Sequence, residues 1–281
     1  MEIGKVNRLR INRATEQGLY LADSEGAEVL LPRHYVLDTM LVGNEIDVFV
    51  YRDSEDRLVA TTEHPLAMVG EVRLMRVKRA DGVGAWLDWG LQKDLLVPHR
   101  EQKVRMVAGR WYVVYIYLDD VSQRLVASAK LDKFIDNTIA KVKVGDEVMA
   151  TVYQRTDLGY KMVVENLWWG MVYHNELNRE LNIGERVVGR VRHVREDNRI
   201  DLTLKPREKE RVSALAVAVE AYIRRHGGSI DITDRSNPDL ISAVFGCSKK
   251  DYKKALGALY KQRKINISTS KIDILEDADR H

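Results

Sequence analysis

The sequence predicts a mainly β chain with an α+β C-terminus: three tandem five-stranded barrels, then a winged helix-turn-helix domain. Three observations carry this. A strand-turn-strand pattern recurs three times, with a matched arginine at Arg57, Arg124 and Arg199, so the spacings are 67 and 75 residues. That is the size of a small complete domain and too long for a solenoid repeat. Apolar and polar residues alternate through most of the chain up to Lys205, the period of strands. Past Pro206 the period becomes helical, and the chain closes on two short strand patterns.

Composition sets wide bounds. Of 281 residues, 45% are hydrophobic and 31% charged, as in an ordinary soluble globular protein. The longest apolar runs, such as Val113–Leu118, are far short of the roughly 20 residues that span a bilayer. The chain opens directly on a strand pattern with no leader-like segment, and one cysteine, Cys247, excludes an internal disulfide. The expectation is a cytoplasmic protein with no membrane partner. A net charge of +3 says little about partners; the distribution of charge says more.

Each element follows in order. The first unit, residues 1–64, offers Gly18-Leu19-Tyr20-Leu21-Ala22, then Glu28–Pro32, then the pair running from Gly43 to Thr61 around Asp53-Ser54-Glu55-Asp56. The second, 65–130, repeats this with Gly84-Ala85-Trp86-Leu87-Asp88, Asp94–Pro98 and Gly109–Ser128. The third, 145–205, has Gly159-Tyr160-Lys161-Met162, Gly170–His174 and Gly184–Thr203. Five short strands with one irregular turn between the third and fourth bury a core by closing into a barrel, which also removes exposed edges. Residues 131–144 carry Phe134, Ile135, Ile139 and Val142 near helical spacing and predict a linking helix over Leu131–Lys143. The short join Glu63-His64-Pro65-Leu66 predicts that the first two barrels pack together, with the third set at a distance. In 206–281, helices are expected over Arg207–His226, from Asn237 to Phe245, and from an Ser248 N-cap through Tyr260, closed by strands at Lys264–Ile267 and Lys271–Ile274.

The motif Gly-Ala-Trp-Leu-Asp-Trp-Gly (84–90) followed by Asp-Leu-Leu-Val-Pro (94–98) resembles the S1 RNA-binding domain, a branch of the oligonucleotide-binding (OB) barrel fold. Gly170-Met171-Val172-Tyr173-His174 resembles its later half. Three such units followed by Phe-Gly-Cys-Ser-Lys-Lys-Asp-Tyr-Lys-Lys-Ala-Leu-Gly-Ala-Leu-Tyr (245–260) resemble the conserved virulence factor B family of YitL-like bacterial proteins. The resemblance covers nearly the whole chain and implies an RNA-binding regulator without catalysis. There are departures: Pro32 and Pro98 stand where the S1 pattern has His, Lys161 where it has an aromatic, and Tyr173 in the His position.

Single-stranded RNA binding needs flat rings for bases and cations for phosphates. The candidates in the barrels are Tyr20, Arg73, Arg76, Lys78, Arg79, Trp86, Lys161, Tyr173 and His174. Alternation places Trp86 outward, available to a base; the other reading has it capping the barrel or packing on a neighbouring domain. Of Trp168 and Trp169, one is expected in the core, and His174 reads as a surface histidine. The densest cation cluster is Lys249, Lys250, Lys253, Lys254, Lys261, Arg263 and Lys264, opposed in sequence only by Asp251. It sits on the third helix of the winged domain, where nucleic acid docks, or forms a solvated or protein-facing surface.

Catalysis finds little support: there is no P-loop, no H-E-x-x-H and no paired-cysteine motif, and no cofactor or metal is expected. The acids Asp53/Glu55/Asp56, Asp119/Asp120 and Glu196/Asp197 fall on the same hairpin turn of each unit, where short acids serve turn geometry. Cys247 is expected to pack. The leading expectation is a single-stranded RNA-binding regulator. Its competitors are a scaffold docking on ribosome or RNA-processing machinery, a regulator binding duplex DNA through the winged helix and, last, a metal-dependent nuclease.

Overall fold

The computed structural model describes residues 1–135, 141–177 and 179–275, in two compact units, Met1–Leu204 and Lys205–His281. The first unit holds three closed barrels. One is built from β1 (Val6–Thr15), β2 (Gly18–Ala22), β3 (Glu28–Pro32), β4 (Glu45–Arg52) and β5 (Leu58–Thr61). The next contains β6 (Val72–Ala80), β7 (Gly84–Asp88), β8 (Leu95–Pro98), β9 (Trp111–Leu118) and β10 (Leu125–Ser128). The last contains β11 (Glu147–Thr156), β12 (Gly159–Val164), β13 (Trp168–Tyr173), β14 (Arg186–Val194) and β15 (Ile200–Thr203). Each closes in the order first-second-third-fifth-fourth, with the third and fifth strands parallel, as in Leu30↔Val59, Leu96↔Val126 and Gly170↔Ile200.

The repeated residues have repeated physical roles. The long first strand pairs with two neighbours, and its register shifts at one place in every barrel: Ile11/Arg13, Val77/Arg79 and Val152/Gln154. A bulge there bends the strand enough to turn the corner. Each second strand opens on glycine because a Cβ at Gly18, Gly84 or Gly159 would stand 2.0, 2.3 or 2.0 Å from the carbonyl oxygen of Leu31, Val97 or Val172. The hairpin acids fold their own turns: Asp53 accepts from the amides of Glu55 and Arg57, Asp119 from Ser122, and Asp197 from Arg199.

A short 3-10 turn between the third and fourth strands carries a buried clasp. In the second barrel it is His99–Glu101, and Glu101 accepts from the Ser128 hydroxyl at 2.7 Å and from Lys133 Nζ at 2.7 Å. In the third it is His174–Glu176, and Glu176 accepts from Thr203 and Arg192, both at 2.7 Å. In the first it is Arg33–Tyr35, and the Tyr35 hydroxyl donates to Glu63 at 3.0 Å. The last strand of the second and third barrels, and the segment just after it in the first, is thereby tied to the turn before the fourth.

The barrels are joined more tightly than the linker pattern implies. Between the first two, the Val69 amide donates to the Gly4 carbonyl at 3.0 Å, and Trp89, fully buried, meets the edge of Phe49 with ring centroids 5.8 Å apart. Lys93 Nζ donates to the carbonyls of Arg52 and Asp53. The third barrel is not set at a distance. Val72, Val113, Leu131 and Ile135 share one buried cluster with Val163 and Trp169, and the Val72 amide donates to Asn166 Oδ1 at 3.0 Å. The predicted linking helix shows only the 3-10 turn Leu131–Lys133 among the described residues; 136–140, including Ile139, lie outside them, and 141–144 are not helical. Phe134 is spent instead on Tyr115 and Tyr117, with ring centroids 4.4 and 4.8 Å away.

The second unit runs α1 (Glu208–Arg225), β16 (Ser229–Ile230), α2 (Pro238–Phe245), α3 (Lys249–Lys261), β17 (Ile265–Ile267) and β18 (Ile272–Ile274), with sheet order β16-β18-β17. Leu215, Val219 and Ile223 of α1, Ile241 of α2 and Tyr252, Leu256 and Leu259 of α3 meet in one core. The α2–α3 turn is set by Gly246 at φ +63° and by Ser248, whose hydroxyl accepts from the Asp251 amide. Cys247 is half-buried against this core, and burial pushes its thiol pKa up.

Candidate nucleic-acid interface

One position on the second strand is used alike in the first two barrels. Tyr20 lies opposite Arg13, and Trp86 opposite Arg79, each arginine being the first residue after the bulge. The Arg13 guanidinium carbon sits 3.6 Å from the Tyr20 ring centroid, and that of Arg79 sits 4.3 Å from Trp86. Trp86 is half-buried and not simply outward: Arg79 lies on one face and its indole N–H donates to Asp81 at 2.8 Å. Arg79 binds the same carboxylate at 2.5 Å. Asp81 is held below the usual carboxylate range by the Val83 amide and then by the indole N–H. This bracing fixes the ring before any ligand arrives, so less side-chain freedom is lost on stacking.

The other barrel cations divide. Lys78, the bulge residue, is paired with Asp94 at 2.7 Å. Arg73 is half-buried, its Nε has no hydrogen-bond partner among the described residues, and burial, with Arg186 nearby, pushes its pKa down. Arg76 is exposed, with no acid within 4 Å among the described residues. In the third barrel Lys161 takes the equivalent place opposite Gln154, but is turned onto Trp169, 3.5 Å from its centroid, and toward Asp132 at 3.5 Å. Burial, with Lys103 and Arg199 adding repulsion, lowers its pKa despite Asp132. Tyr173 is half-buried and its hydroxyl accepts from Arg195. His174 is exposed at the start of the 3-10 turn, with Nε2 3.2 Å from the Thr156 carbonyl oxygen. Trp168 lies in the third barrel's core and Trp169 under the second barrel, so both are buried.

In the winged unit, Asp251 is not the only acid opposing the α3 cations. Lys254 pairs with Glu208 and Lys264 with Glu220, both on α1; Lys253 stands 3.9 Å from Asp234, and Asp251 itself is taken by Arg211. Lys249 Nζ donates to the Ser236 carbonyl, and Arg263 follows the helix at φ +54°. What remains open is a stripe at helical spacing: Lys250, Lys253, Gly257, Tyr260 and Lys261, of which Lys250 and Lys261 have no acid within 4 Å among the described residues. Tyr260 is 56% exposed. Gly257 has open space where a Cβ would point, so no internal contact calls for glycine there. Gly257→Ala is expected to stabilise the helix by about 0.5–1 kcal/mol, read as a higher denaturant midpoint of the winged unit.

Two ring positions escaped the sequence reading. Tyr260 enters the sequence-based expectations only as the end of the third helix and as part of the 245–260 resemblance. Trp111, 58% exposed at the start of β9, is opposite Arg76. Parity was the available signal: Trp111, Val113, Tyr115 and Tyr117 share one face of β9, too apolar for a solvated barrel wall. Among the described residues no three His, Cys, Asp or Glu side chains are placed to hold a metal, and no helix is long and apolar enough to cross a membrane.

Comparison with known proteins bears on these surfaces. Residues 3–63 match the S1 domain model, and residues 218–274 match the CvfB-like winged helix domain. The S1 match falls on the first barrel, although the second carries the motif most legible by eye. The YitL protein of Bacillus subtilis is 28% identical over 272 residues, covering 94% of this chain and 91% of its own. Conserved virulence factor B of Staphylococcus epidermidis is 25% identical, covering 97% and 94%. A Streptococcus pneumoniae structure described as a multidomain protein with nucleic acid binding domains aligns over 97% of this chain and 98% of that one, at 23% identity and a TM-score of 0.40. With three closed five-stranded barrels, the first matching the S1 domain model, and a winged unit matching the CvfB-like winged helix domain, this chain is similar over nearly its full length to the YitL and conserved virulence factor B proteins.

Proposed function

We propose that the protein is a single-stranded RNA-binding regulator that reads unpaired bases on its barrels and holds phosphates on α3. S1 and winged-helix domains are nucleic-acid-binding modules. The observation that carries the single-strand reading is Trp86, a half-buried ring on the second strand braced by Arg79 and Asp81. Such a braced platform suits an unstacked base, which offers its face, and not a duplex, which hides it. Tyr20 over Arg13 offers a second such place. Weak sites on one chain add through effective concentration.

Binding of a fluorescein-labelled single-stranded RNA 20-mer to the full chain tests this. Trp86→Ala should weaken binding roughly five- to a hundredfold, the range for one stacked base, with an unchanged salt slope. Duplex DNA of the same length should bind less tightly. Wild-type affinity in the variant, or preference for the duplex, would defeat the reading.

A further inference from the structure

The second and third barrels enclose a cleft of about 240 Å3 that the S1-type ring positions do not touch. Trp111 of β9, Tyr153 of β11, Lys103, Met106 and Ile183 line it. Its walls are fixed from both sides. Lys103 Nζ donates to the Tyr153 hydroxyl at 2.6 Å and to Asp132 at 3.1 Å, bridging the two barrels. The Val107 amide donates to the Tyr112 hydroxyl at 3.1 Å, pinning the loop that forms the rim. The other large residues on the Trp111 face of β9 are covered: Val113 by the junction cluster, Tyr115 and Tyr117 by Phe134. Trp111 alone of that row is left open.

We propose that this cleft receives one unpaired base of a single-stranded RNA, stacked on Trp111, with the flanking phosphates on Arg76, Arg105 and Arg110. The proposal rests on the single-strand reading above and adds a second, separate base site. Three features select this occupant. The volume falls just below that of pockets for drug-sized ligands, so a single ring system suits it and a larger ligand does not. The indole is open beside an apolar floor, an arrangement costly to leave solvated. The cations around it are uncompensated: Arg76 faces Trp111 across the strand pair, Arg110 precedes it, and Arg105 lies on the rim loop. All three are exposed, and none has an acid within 4 Å among the described residues. Asp88, opposite Arg76 on its other side, is the nearest acid by register, and Asp132 is already shared by Lys103 and Lys161.

The test is the labelled RNA 20-mer against the full chain carrying Trp111→Ala, Trp111→Phe or Arg76→Ala/Arg110→Ala, beside Trp86→Ala. Trp111 is exposed, so its replacement leaves the core intact, which far-UV circular dichroism checks. Trp111→Ala should lose roughly five- to a hundredfold in affinity with the salt slope unchanged, and Trp111→Phe should recover most of that loss. The double arginine variant should lower the slope by about 1.4, or 0.7 for each phosphate contact. Full affinity in Trp111→Ala while Trp86→Ala is weakened would overturn this cleft as a base site and leave the general reading standing. No binding of the RNA by the wild-type chain would overturn both.

Discussion

Replacing Lys250, Lys253 and Lys261 together with alanine is expected to weaken RNA binding about a hundredfold at 0.1 M salt. Each phosphate contact with a single strand carries about 0.7 of a log unit per decade of salt, so three lost contacts lower the slope by about 2. Among the described residues Lys250 and Lys261 have no acid within 4 Å and Lys253 only Asp234 at 3.9 Å, whereas Lys254 and Lys264 are bound to Glu208 and Glu220. Lys254→Ala/Lys264→Ala should therefore change the slope far less, despite removing two charges from the same cluster. Fluorescence anisotropy from 50 to 400 mM salt separates the two variants. Equal slopes for both would mean that total charge, and not the stripe, holds the phosphates. A wild-type slope in the triple variant would remove α3 from the interface.

Glu101→Ala is expected to destabilise the barrel unit by about 1–3 kcal/mol, the cost of leaving buried hydrogen-bonding partners unpaired. Glu101 is 5% exposed and accepts from Ser128 and Lys133, so its loss unties the last strand of the second barrel from the turn before the fourth. The same clasp sets a pH response. Burial works against the Glu101 carboxylate, but the Lys133 and Ser128 hydrogen bonds outweigh it, and its pKa lies below the ordinary value. The unfolded chain, with a carboxyl near about 4.3, binds this proton more readily than the folded one. The stabilisation is therefore complete above about pH 4.3 and lost as pH falls through the folded value. Urea titrations at pH 7 and pH 3 read this. The gap between Glu101→Ala and wild type should narrow in acid, and a gap independent of pH would show that the clasp acts through packing alone.

The barrels were legible because their determinants are local. The glycine opening each second strand, the acid in each hairpin turn and the period-two alternation reflect contacts within one unit, and each recurs three times. The helix-turn-helix was legible from its caps, Ser248 and Gly246, for the same reason. What sequence alone missed depends on residues far apart in the chain. Glu208 and Glu220 neutralise Lys254 and Lys264 from 46 and 44 residues away, which no inspection of α3 reveals. Trp86 was found from its motif, but the Arg79 on its face follows from a bulge that breaks simple alternation. Trp111 was overlooked because the cover over the rest of its row comes from Phe134 and from another barrel. The helix expected at 131–144 rested on apolar spacing that serves a junction, with Leu131 and Ile135 buried in it and Phe134, half-buried, stacked on Tyr115.

That junction decides where the protein can be cut. The seam most visible in the sequence, between the second and third repeats, is a poor place to divide the chain for expression. Separating the pieces there would strip Trp169 and Val163 of their cover and bare Val72 and Val113 on the other half. Two sticky fragments would result, and their failure to bind RNA would report on aggregation. The boundary between Leu204 and Lys205, where one compact unit gives way to the next, is the place to divide the molecule when the two halves are assayed separately.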